Sequence, residues 1–508
     1  MRYIVVICVL LITITGTAQH EHLSPCGTPA YKSEWLKKYQ LHPHLYSTDR
    51  DELIYVPIAV HLVGEDDGRL MPDVIRIQGA LCTLNEDFEQ ANIQFYLGQP
   101  INYIFDDRYA VHETVLQGAE MMAQYDVDQM INCYFMHQAA NNQGYNLPYA
   151  GMCVRNESAG VGLHTWAHEM GHQLALPHPF LGWEGGQGHS GTPQATWTGP
   201  SPDKVLYNYT FFQDTLILDT IIIDTAYVEL VDGSNCTIAA DGFCDTKPDY
   251  LAVGEWPCDS NRLSMINQID PAGNEFRSDA TLIMAYSSDN CSSRFTEEQI
   301  AAMRAKLASD KADHLGNEQP EPPVVGTTAG NISPTDLQPV NPQNIELSWD
   351  AVEGATSYLV QLSILESFGL PVFDTIVSTP SVVIPSLQFS NRDHYFRVKA
   401  YNDYHFCAEW LEGTGSFEPD ELVSTASVDA TEWSIYPTVL QHGQSLHIRG
   451  GRSKALEVVL YSTSGRVVKT YSNVSNGTQL ATDDLATGIY IVQLSDGQQQ
   501  STQKIAIH

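Results

Sequence analysis

Three histidines and a glutamate have the types and spacing of a metal-dependent hydrolytic site. His168 and His172 are four residues apart with Glu169 directly after the first, and His178 follows six residues later. Residues four apart on a helix lie on one face, so both imidazoles can reach one ion. A catalytic zinc needs three protein ligands and an open position for water. The spacing predicts a zinc site of His168, His172 and His178, with Glu169 as general base. The alternative is a surface helix with satisfied histidines.

A second motif, well downstream, connects these residues to a known family. The run 282–291 contains Met284 and Tyr286. With the histidine motif, it resembles the metzincin metallopeptidases, and most closely their pappalysin branch. The resemblance implies that Met284 forms the methionine turn beneath the zinc and that Tyr286 helps to bind the tetrahedral intermediate. An ordinary buried methionine and a core tyrosine are the alternatives. The resemblance runs from about Tyr55 to Leu307 and includes segments 57–61, 84–88, 92–95 and 241–246.

One position departs from the family pattern. The family has glycine three residues after the second histidine, where this chain has Ala175. A non-glycine residue in left-handed backbone costs about 1 kcal/mol. Pro177 restricts Leu176 to extended backbone, which suits a chain that has left the helix. Both changes keep the ligands in place, so an active enzyme is expected.

Asp289 is the candidate specificity residue. It stands five residues after Met284, where basic-specific relatives carry an aspartate at the base of the S1′ pocket. A buried carboxylate there would pair with arginine or lysine, which predicts cleavage before these residues. Cleavage between Asp49 and Arg50 would then be self-activating. An exposed turn aspartate is the alternative.

The N-terminus has the pattern of an exported, latent precursor. A positive start, a short apolar run and small residues predict a signal peptide over 1–18. The next segment, 19–50, contains Cys26-Gly27-Thr28 and resembles the cysteine-switch propeptide of the family. A thiolate on zinc would occupy the open position. The alternatives for Cys26 are a disulfide or a free thiol.

Calcium is a second possible ion. Asp241, the carbonyl of Cys244, and Thr246 match positions that hold calcium in some relatives. Oxygen-rich loops suit calcium, although Asp-Gly is also a common turn.

The net charge and the distribution of apolar residues limit the kinds of binding partner that are expected. The 508 residues carry a net charge of -35 at pH 7, which disfavours binding to nucleic acid because phosphates would be repelled. No stretch after the signal peptide is apolar enough to cross a membrane. Protein or peptide substrates are the expected partners.

The cysteines agree with export to an oxidising compartment. Of the ten, Cys8 lies in the signal peptide, so nine remain. A bridge between Cys258 and Cys291, flanking the methionine turn, resembles the family. Sequence spacing leaves the rest open. The plausible pairs are Cys236 with Cys244 and Cys133 with Cys153, while Cys82 and Cys407 are expected to be buried thiols.

The length of the chain predicts several domains, because 508 residues are too many for a single hydrophobic core. For region 51–316 we expect an α+β fold, a twisted mixed sheet with the zinc-binding helix packed on it. Its expected strands are 54–63, 93–97 and 132–136, and its expected helices are 73–90, 162–174 and 296–309. A hairpin insertion is expected over 210–230.

Two all-β sandwich domains are expected to follow a Pro-rich linker, 317–327. Region 328–426 has alternating strands around Trp349 and Tyr358 and resembles a fibronectin type III module. Region 433–508 resembles the C-terminal sorting domain of bacterial type IX secretion cargo. That resemblance implies a partner, the type IX secretion machinery, and a secreted or outer-surface location.

Together these features predict a secreted zinc metalloendopeptidase made as a zymogen. A degenerate scaffold acting in adhesion is the alternative, supported by Ala175 alone. A zinc hydrolase of non-peptide amides is disfavoured by the long peptide-binding elements that the resemblance implies.

Overall fold

The chain forms a mixed α/β structure of several units, seen here in a computed structural model. The structure describes residues 23–29, 31–46, 52–184, 199–208, 223–252, 254–315, 320–324, 326–387 and 392–420, and 434–507 except 437–438, 441–444, 450–455, 463–465, 476–477, 483–484 and 496–499. The signal peptide and the Asp49–Arg50 bond lie outside these residues. We call 23–315 the N-terminal region, 326–420 the middle sandwich and 434–507 the C-terminal sandwich.

A nine-stranded sheet is the scaffold of the N-terminal region, in the order β3-β2-β6-β9-β8-β7-β5, with β4 beside β2 and β1 beside β8. Strands β2, β3, β4, β6 and β9 pair in parallel, whereas β8 is antiparallel to β9. β2 is buried from its third residue onward, as a central parallel strand requires. The predicted strands in β2, β3 and β6 are confirmed. The strands are β1 Ser24–Cys26, β2 Ile54–Gly64, β3 Ile93–Leu97, β4 Asn102–Phe105, β5 Val111–His112, β6 Ile131–Met136, β7 Gln138–Ala139, β8 Asn142–Asn146 and β9 Gly151–Arg155.

Helices cover both faces of this sheet. The N-terminal region contains α1 Glu34–Leu41, α2 Val74–Glu89, α3 Asp107–Ala110, α4 Val115–Tyr125, α5 Thr165–Gln173 and α6 Glu297–Ser309. Phe88 of α2, Trp166 of α5 and Met303 of α6 share one core with Phe135 of β6. A second core lies beneath α4. The predicted helices are confirmed to within a few terminal residues, and Asp73 and Thr296 cap α2 and α6 as N-cap residues.

A loop-rich lower part follows α5. It contains two short hairpins, β10 Lys204–Asn208 with β11 Ile223–Tyr227 and β12 Gln268–Ile269 with β13 Glu275–Phe276. The predicted insertion over 210–230 includes β11 as one arm, whereas residues 209–222 lie outside the described part. Apolar side chains of Phe180, Trp183, Tyr250 and Trp256 give this part its own core.

The middle sandwich has the predicted alternating strands in two sheets, β14-β20-β19-β16-β17 and β15-β18. Trp349 and Tyr358 meet in its core with ring centroids 5.4 Å apart. Its strands are β14 Gln338–Val340, β15 Gln343–Ser348, β16 Ser357–Ser363, β17 Pro371–Val377, β18 Ser381–Ser386, β19 His394–Tyr401 and β20 Gly415–Pro419.

The C-terminal sandwich is also built as predicted, from sheets β21-β23-β26 and β22-β28-β27-β24-β25. Alternate residues of its strands enclose a separate apolar core. Its strands are β21 Ser434–Tyr436, β22 Val439–Leu440, β23 Leu446–Arg449, β24 Leu456–Ser462, β25 Val467–Val474, β26 Gln479–Leu480, β27 Gly488–Ser495 and β28 Gln500–Ile507.

The disulfides confirm two expected pairs and correct two other expectations. Cys258 is bridged to Cys291 and Cys236 to Cys244. The pairing of Cys133 with Cys153 is wrong, because both are free and buried. In the register of β6 and β9, Cys133 lies opposite Met152 and Cys153 opposite Tyr134, so the two thiols point to opposite faces of the sheet.

The sequence suggested that Cys82 and Cys407 are buried thiols, but in the structure they form a disulfide with each other. The bridge joins α2 of the N-terminal region to the middle sandwich. Beside it, Tyr404 stacks on Tyr96 with ring centroids 4.2 Å apart, and the carbonyl of Asp403 accepts a hydrogen bond from the N–H of Leu97.

Candidate metal centre

Helix α5 carries His168, Glu169 and His172, and all of its residues are buried. It ends in a Schellman turn, in which the N–H groups of Ala175 and Leu176 donate to the carbonyls of His172 and Gly171. Ala175 adopts φ +73°, the left-handed conformation predicted for it. This turn reverses the chain and brings His178 back toward the helix.

The three histidines meet at their Nε2 atoms. The distances are 3.1 Å from His172 to His168, 3.1 Å from His172 to His178 and 3.2 Å from His168 to His178. Their Nδ1 atoms face away. That of His168 donates to the carbonyl of Ile283 and that of His172 to the carbonyl of Leu176, both at 2.8 Å. Because a carbonyl can only accept, these two Nδ1 atoms carry the protons, and the Nε2 lone pairs converge.

This arrangement fits a metal ion. Three lone pairs pointing at one another repel unless a cation lies between them. Tetrahedral ligands at zinc–nitrogen distances of about 2.0–2.1 Å are about 3.3 Å apart, close to the spacing observed. Burial lowers the pKa of His168 and of His178 to about 3, so both imidazoles are neutral, the form that binds zinc.

Cys26 is the fourth member of this cluster. Its Sγ lies 3.5 Å from Nε2 of His172, and the four candidate ligand atoms lie within 4.8 Å of one another. Strand β1 places it there by pairing in parallel with β8, Cys26 opposite Gly144. Burial raises the pKa of the Cys26 thiol, and a bound cation would oppose that shift.

Glu169 lies beside the histidines and is completely buried. Its Oε2 accepts a hydrogen bond of 3.0 Å from the hydroxyl of Thr28, and that hydroxyl accepts one of 2.8 Å from the N–H of Asn146. Its Oε1 has no partner among the described residues. Burial raises the pKa of Glu169 to about 8. Thr28 therefore covers the predicted general base, a contact that the sequence reasoning missed.

Met284 contacts helix α5, and Tyr286 contacts two of the histidines. A Cβ at Gly171 would come within 2.3 Å of the Met284 sulfur, so only glycine permits this approach beneath α5. The Tyr286 ring packs against His168 and His178, with centroids 5.9 and 5.0 Å away. Its hydroxyl donates to the carbonyl of Cys26 at 3.5 Å.

Asp289 lines a cleft beside the histidines, together with His168, Tyr286, Glu255 and Pro25 of the N-terminal segment. It is half-buried, not the exposed turn aspartate of the alternative interpretation. Burial raises the pKa of its carboxyl, while a 2.9 Å hydrogen bond from the N–H of His164 opposes the shift. Glu255 adds a second carboxylate that no sequence motif indicated.

The candidate calcium residues are partly brought together. Oδ1 of Asp241 accepts hydrogen bonds from the Thr246 hydroxyl at 2.9 Å and from the Phe243 N–H at 3.1 Å. Its buried Oδ2 has no partner among the described residues. The N–H of Cys244 donates to the carboxylate of Glu298 at 2.7 Å.

Glu184 was also missed by sequence reasoning. It ends the turn that begins at His178, and its Oε1 lies 3.1 Å from Nδ1 of that histidine. Burial raises its pKa to about 8, and a cation on the imidazoles would oppose the shift. The only sequence signal is its position six residues after His178, which alone predicts no contact.

Comparison with known proteins identifies the C-terminal end of the chain. Residues 434–508 match the family described as secretion system C-terminal sorting domain. No curated protein matches the chain. Among solved structures, a promirolysin variant of Tannerella forsythia aligns with a TM-score of 0.35 and 16% identity, over 57% of this chain and 95% of that one. The fn3 domain of human collagen alpha-1(XX) aligns with a TM-score of 0.15 and 22% identity, over 21% of this chain and 94% of that one.

The sorting domain gives the location: the chain is a secreted or cell-surface bacterial protein, and the secretion machinery is an implied partner. Within the described residues, no helix is long and apolar enough to span a membrane.

Proposed function

We propose that this protein is a secreted zinc-dependent endopeptidase of the pappalysin-like metzincin type, made as a latent zymogen. The observation that carries the proposal is the convergence of three buried Nε2 lone pairs, 3.1–3.2 Å apart, next to a buried glutamate. Neutral imidazoles in this arrangement are suited to bind a cation. Glu169 forms no ion pair within the described residues that would explain why its carboxylate is buried. We retain the proposed domain limits 51–316, 328–426 and 433–508.

Hydrolysis is divided among a few side chains. Held by His168, His172 and His178, a zinc ion would supply Lewis acidity toward the carbonyl of a peptide bond. Glu169 accepts the proton of the attacking water and passes it to the leaving amine. The hydroxyl of Tyr286 donates to the carbonyl oxygen as negative charge develops there.

The contacts of the N-terminal segment support the proposed latency. Cys26 lies among the three histidines, and Thr28 is hydrogen-bonded to Glu169, so one short segment covers both the ion site and the base. Strand β1 also occupies the edge of β8, where an extended substrate would add as a strand. We propose that residues 19–50 form the inhibitory propeptide and that its removal opens the cleft.

The cleft beside Asp289 supports a preference for basic residues after the scissile bond. Asp289 and Glu255 both line it. Two carboxylates in a partly buried cleft favour arginine or lysine over neutral side chains. We propose Asp289 as the main determinant.

We also propose calcium in the loop of Asp241, Cys244 and Thr246. The unpartnered Oδ2 of Asp241, seen within the described part of the chain, supports an oxygen-rich cation site. A chelator too weak to remove zinc should lower the Tm if this ion is structural.

The test is to incubate the full-length chain with denatured protein and to map the cuts by mass spectrometry. Glu169→Gln should lower kcat/KM by about 100- to 10,000-fold with unchanged zinc content. The matched control Glu157→Gln, at an exposed glutamate, should behave as the native chain. Cys26→Ala should remove the lag before activity, and Asp289→Asn should reduce the preference for Arg or Lys.

The proposed base, switch and specificity residue each have their own contrary result. Cuts that persist in Glu169→Gln would reject the proposed base, and a Cys26→Ala chain as latent as the native one would reject the switch. An unchanged cut-site profile in Asp289→Asn would reject its specificity role. The absence of cuts with zinc bound and residues 19–49 removed would favour the adhesive scaffold.

A further inference from the structure

We propose that Glu184 is a positioning residue that holds His178 in place and strengthens its bond to the metal. This inference rests on the proposed zinc function of the three histidines. Glu184 lies outside the histidine motif. Its proposed role is to orient His178, and it does not bind the metal itself.

The carboxylate of Glu184 is held at both oxygens. Oε1 lies 3.1 Å from Nδ1 of His178, and Oε2 accepts a 2.7 Å hydrogen bond from the N–H of Gly182. Its side chain is 14% exposed, whereas that of His178 is 1% exposed. A carboxylate fixed at both ends leaves the imidazole little freedom to rotate.

The turn from His178 to Glu184 is built for this contact. The N–H of Leu181 donates to the His178 carbonyl and that of Trp183 to the Phe180 carbonyl. Gly182 has φ +106°, and a Cβ there would lie 2.7 Å from Ala226 and 2.9 Å from Val205. Only glycine fits at position 182, so the tight turn that brings Glu184 back to His178 depends on this glycine.

His178 differs from the other two histidines in needing such support. His168 and His172 are held by the backbone of α5, whereas His178 stands on a loop after the Schellman turn. The Nδ1 atoms of His168 and His172 donate to neutral carbonyls, but that of His178 faces a carboxylate. A carboxylate partner makes an imidazole a stronger donor to a metal and fixes its tautomer. The charge of Glu184 also offsets part of the charge of a divalent ion held by three neutral ligands.

The test compares zinc affinity in full-length chains that carry Glu184→Gln, Glu184→Asp or, as a matched control at an exposed site, Glu275→Gln. Affinity is measured by competition with a chromogenic chelator, and the cobalt-substituted forms are compared by their visible absorption. We expect Glu184→Gln to bind zinc about 10- to 100-fold more weakly and to shift the cobalt bands. Glu184→Asp keeps the charge but shortens the reach, so its affinity should fall between. The control should match the native chain.

Native affinity and native cobalt bands in a folded Glu184→Gln chain would overturn the proposal. If Glu184→Gln does not fold, Glu184→Asp decides the matter, since an affinity equal to that of the native chain would also overturn it. Failure of the proposed function gives a different result, because the native chain itself would then bind no zinc and cut no substrate.

Discussion

Ala175 is the residue at which this chain departs most clearly from its expected pattern. It occupies the left-handed position of the turn that ends α5, with φ +73°. Glycine is favoured at this position because a Cβ is strained there. The hydrogen bonds from Ala175 and Leu176 to the last helical carbonyls are nevertheless formed. The strain is therefore confined to this turn, and the three histidines remain together.

Substitutions of Ala175 should change stability in a fixed order. Ala175→Gly relieves the strain but gains flexibility in the unfolded chain, so it should stabilise by only about 0.5 kcal/mol. Ala175→Val places a β-branched residue in a conformation that such residues rarely adopt, and it should destabilise by about 1 kcal/mol or more. Calorimetry should give the highest Tm for Ala175→Gly, then the native chain, then Ala175→Val. An Ala175→Val chain as stable as the native one would show that the turn carries no strain.

The residues of the site differ in how well the sequence predicts them. His168, Glu169 and His172 are predictable because a helix fixes their relative positions through local spacing. Glu184 and Thr28 are not, because their contacts depend on a turn at Gly182 and on the pairing of β1 with β8. The predicted pairing of Cys133 with Cys153 is wrong for a similar reason, because strand register decides on which face of the sheet a side chain lies.

At the scale of elements, helix α1 packs the N-terminal segment onto the main core. Leu36 is completely buried in the main core, and Trp35 and Tyr39 stack with ring centroids 5.3 Å apart. The side chain of Gln40 donates to the carbonyl of Asp241 at 2.8 Å. We expect this packing, together with the pairing of β1 with β8, to keep Cys26 beside the three histidines.

Removing the anchor should therefore weaken latency. Leu36→Ala loses a buried side chain, which costs about 2–5 kcal/mol of packing. The full-length chain should then become active after a shorter lag, followed with a fluorogenic peptide. Leu41→Ala is the matched control on the same helix, because Leu41 is 74% exposed. Equal lags in the two variants would mean that α1 does not govern activation.

The loop-rich part beneath the site holds buried acids that make its stability depend on pH. Burial is the main cause that raises the pKa of Glu229 to about 9 and that of Asp249 to about 7. One oxygen of each has no partner among the described residues. A carboxyl with a raised folded-state pKa keeps a proton that the unfolded chain releases. Its contribution to stability is therefore complete below about pH 4 and is lost as pH rises toward the folded value.

In a buffer that chelates calcium but spares zinc, Tm should fall as pH is raised from 5 to 8. Glu229→Gln should reduce this fall, because an amide does not ionise. Over this pH range, the free energy of unfolding of the variant should drop less than that of the native chain, by about 1 kcal/mol or more. Glu275→Gln is the matched control, since Glu275 is exposed. A pH dependence equal in all three chains would show that Glu229 does not titrate in this range.

At the scale of the whole molecule, the middle sandwich is joined to the N-terminal region by a disulfide and by aromatic contacts. The Cys82–Cys407 bridge and the stacking of Tyr404 on Tyr96 join the two. The sequence predicts each sandwich from its alternating strands, because that signal is local. It does not predict this junction, because the two cysteines are 325 residues apart.

Loss of the bridge should lower the stability of the N-terminal region while leaving its chemistry intact. Cys82→Ala with Cys407→Ala should cost about 2–4 kcal/mol and speed thermal inactivation, with kcat/KM at 25 °C unchanged. The control pair is Cys236→Ala with Cys244→Ala, whose loop spans only 8 residues and should give a smaller loss. Equal losses for the two pairs would contradict the expected dependence on loop length.

The bridge also bears on the order in which the chain folds and forms its disulfides. Cys82 is made 325 residues before Cys407, and until the two pair it is a thiol in the same chain as Cys26, Cys133 and Cys153, which are free in the described part of the fold. The folded sheet buries Cys133 and Cys153, so once it has formed these two thiols are no longer available as wrong partners. We therefore expect the Cys82–Cys407 bridge to close after the sheet has formed, because Cys133 and Cys153 can no longer mispair once they are buried.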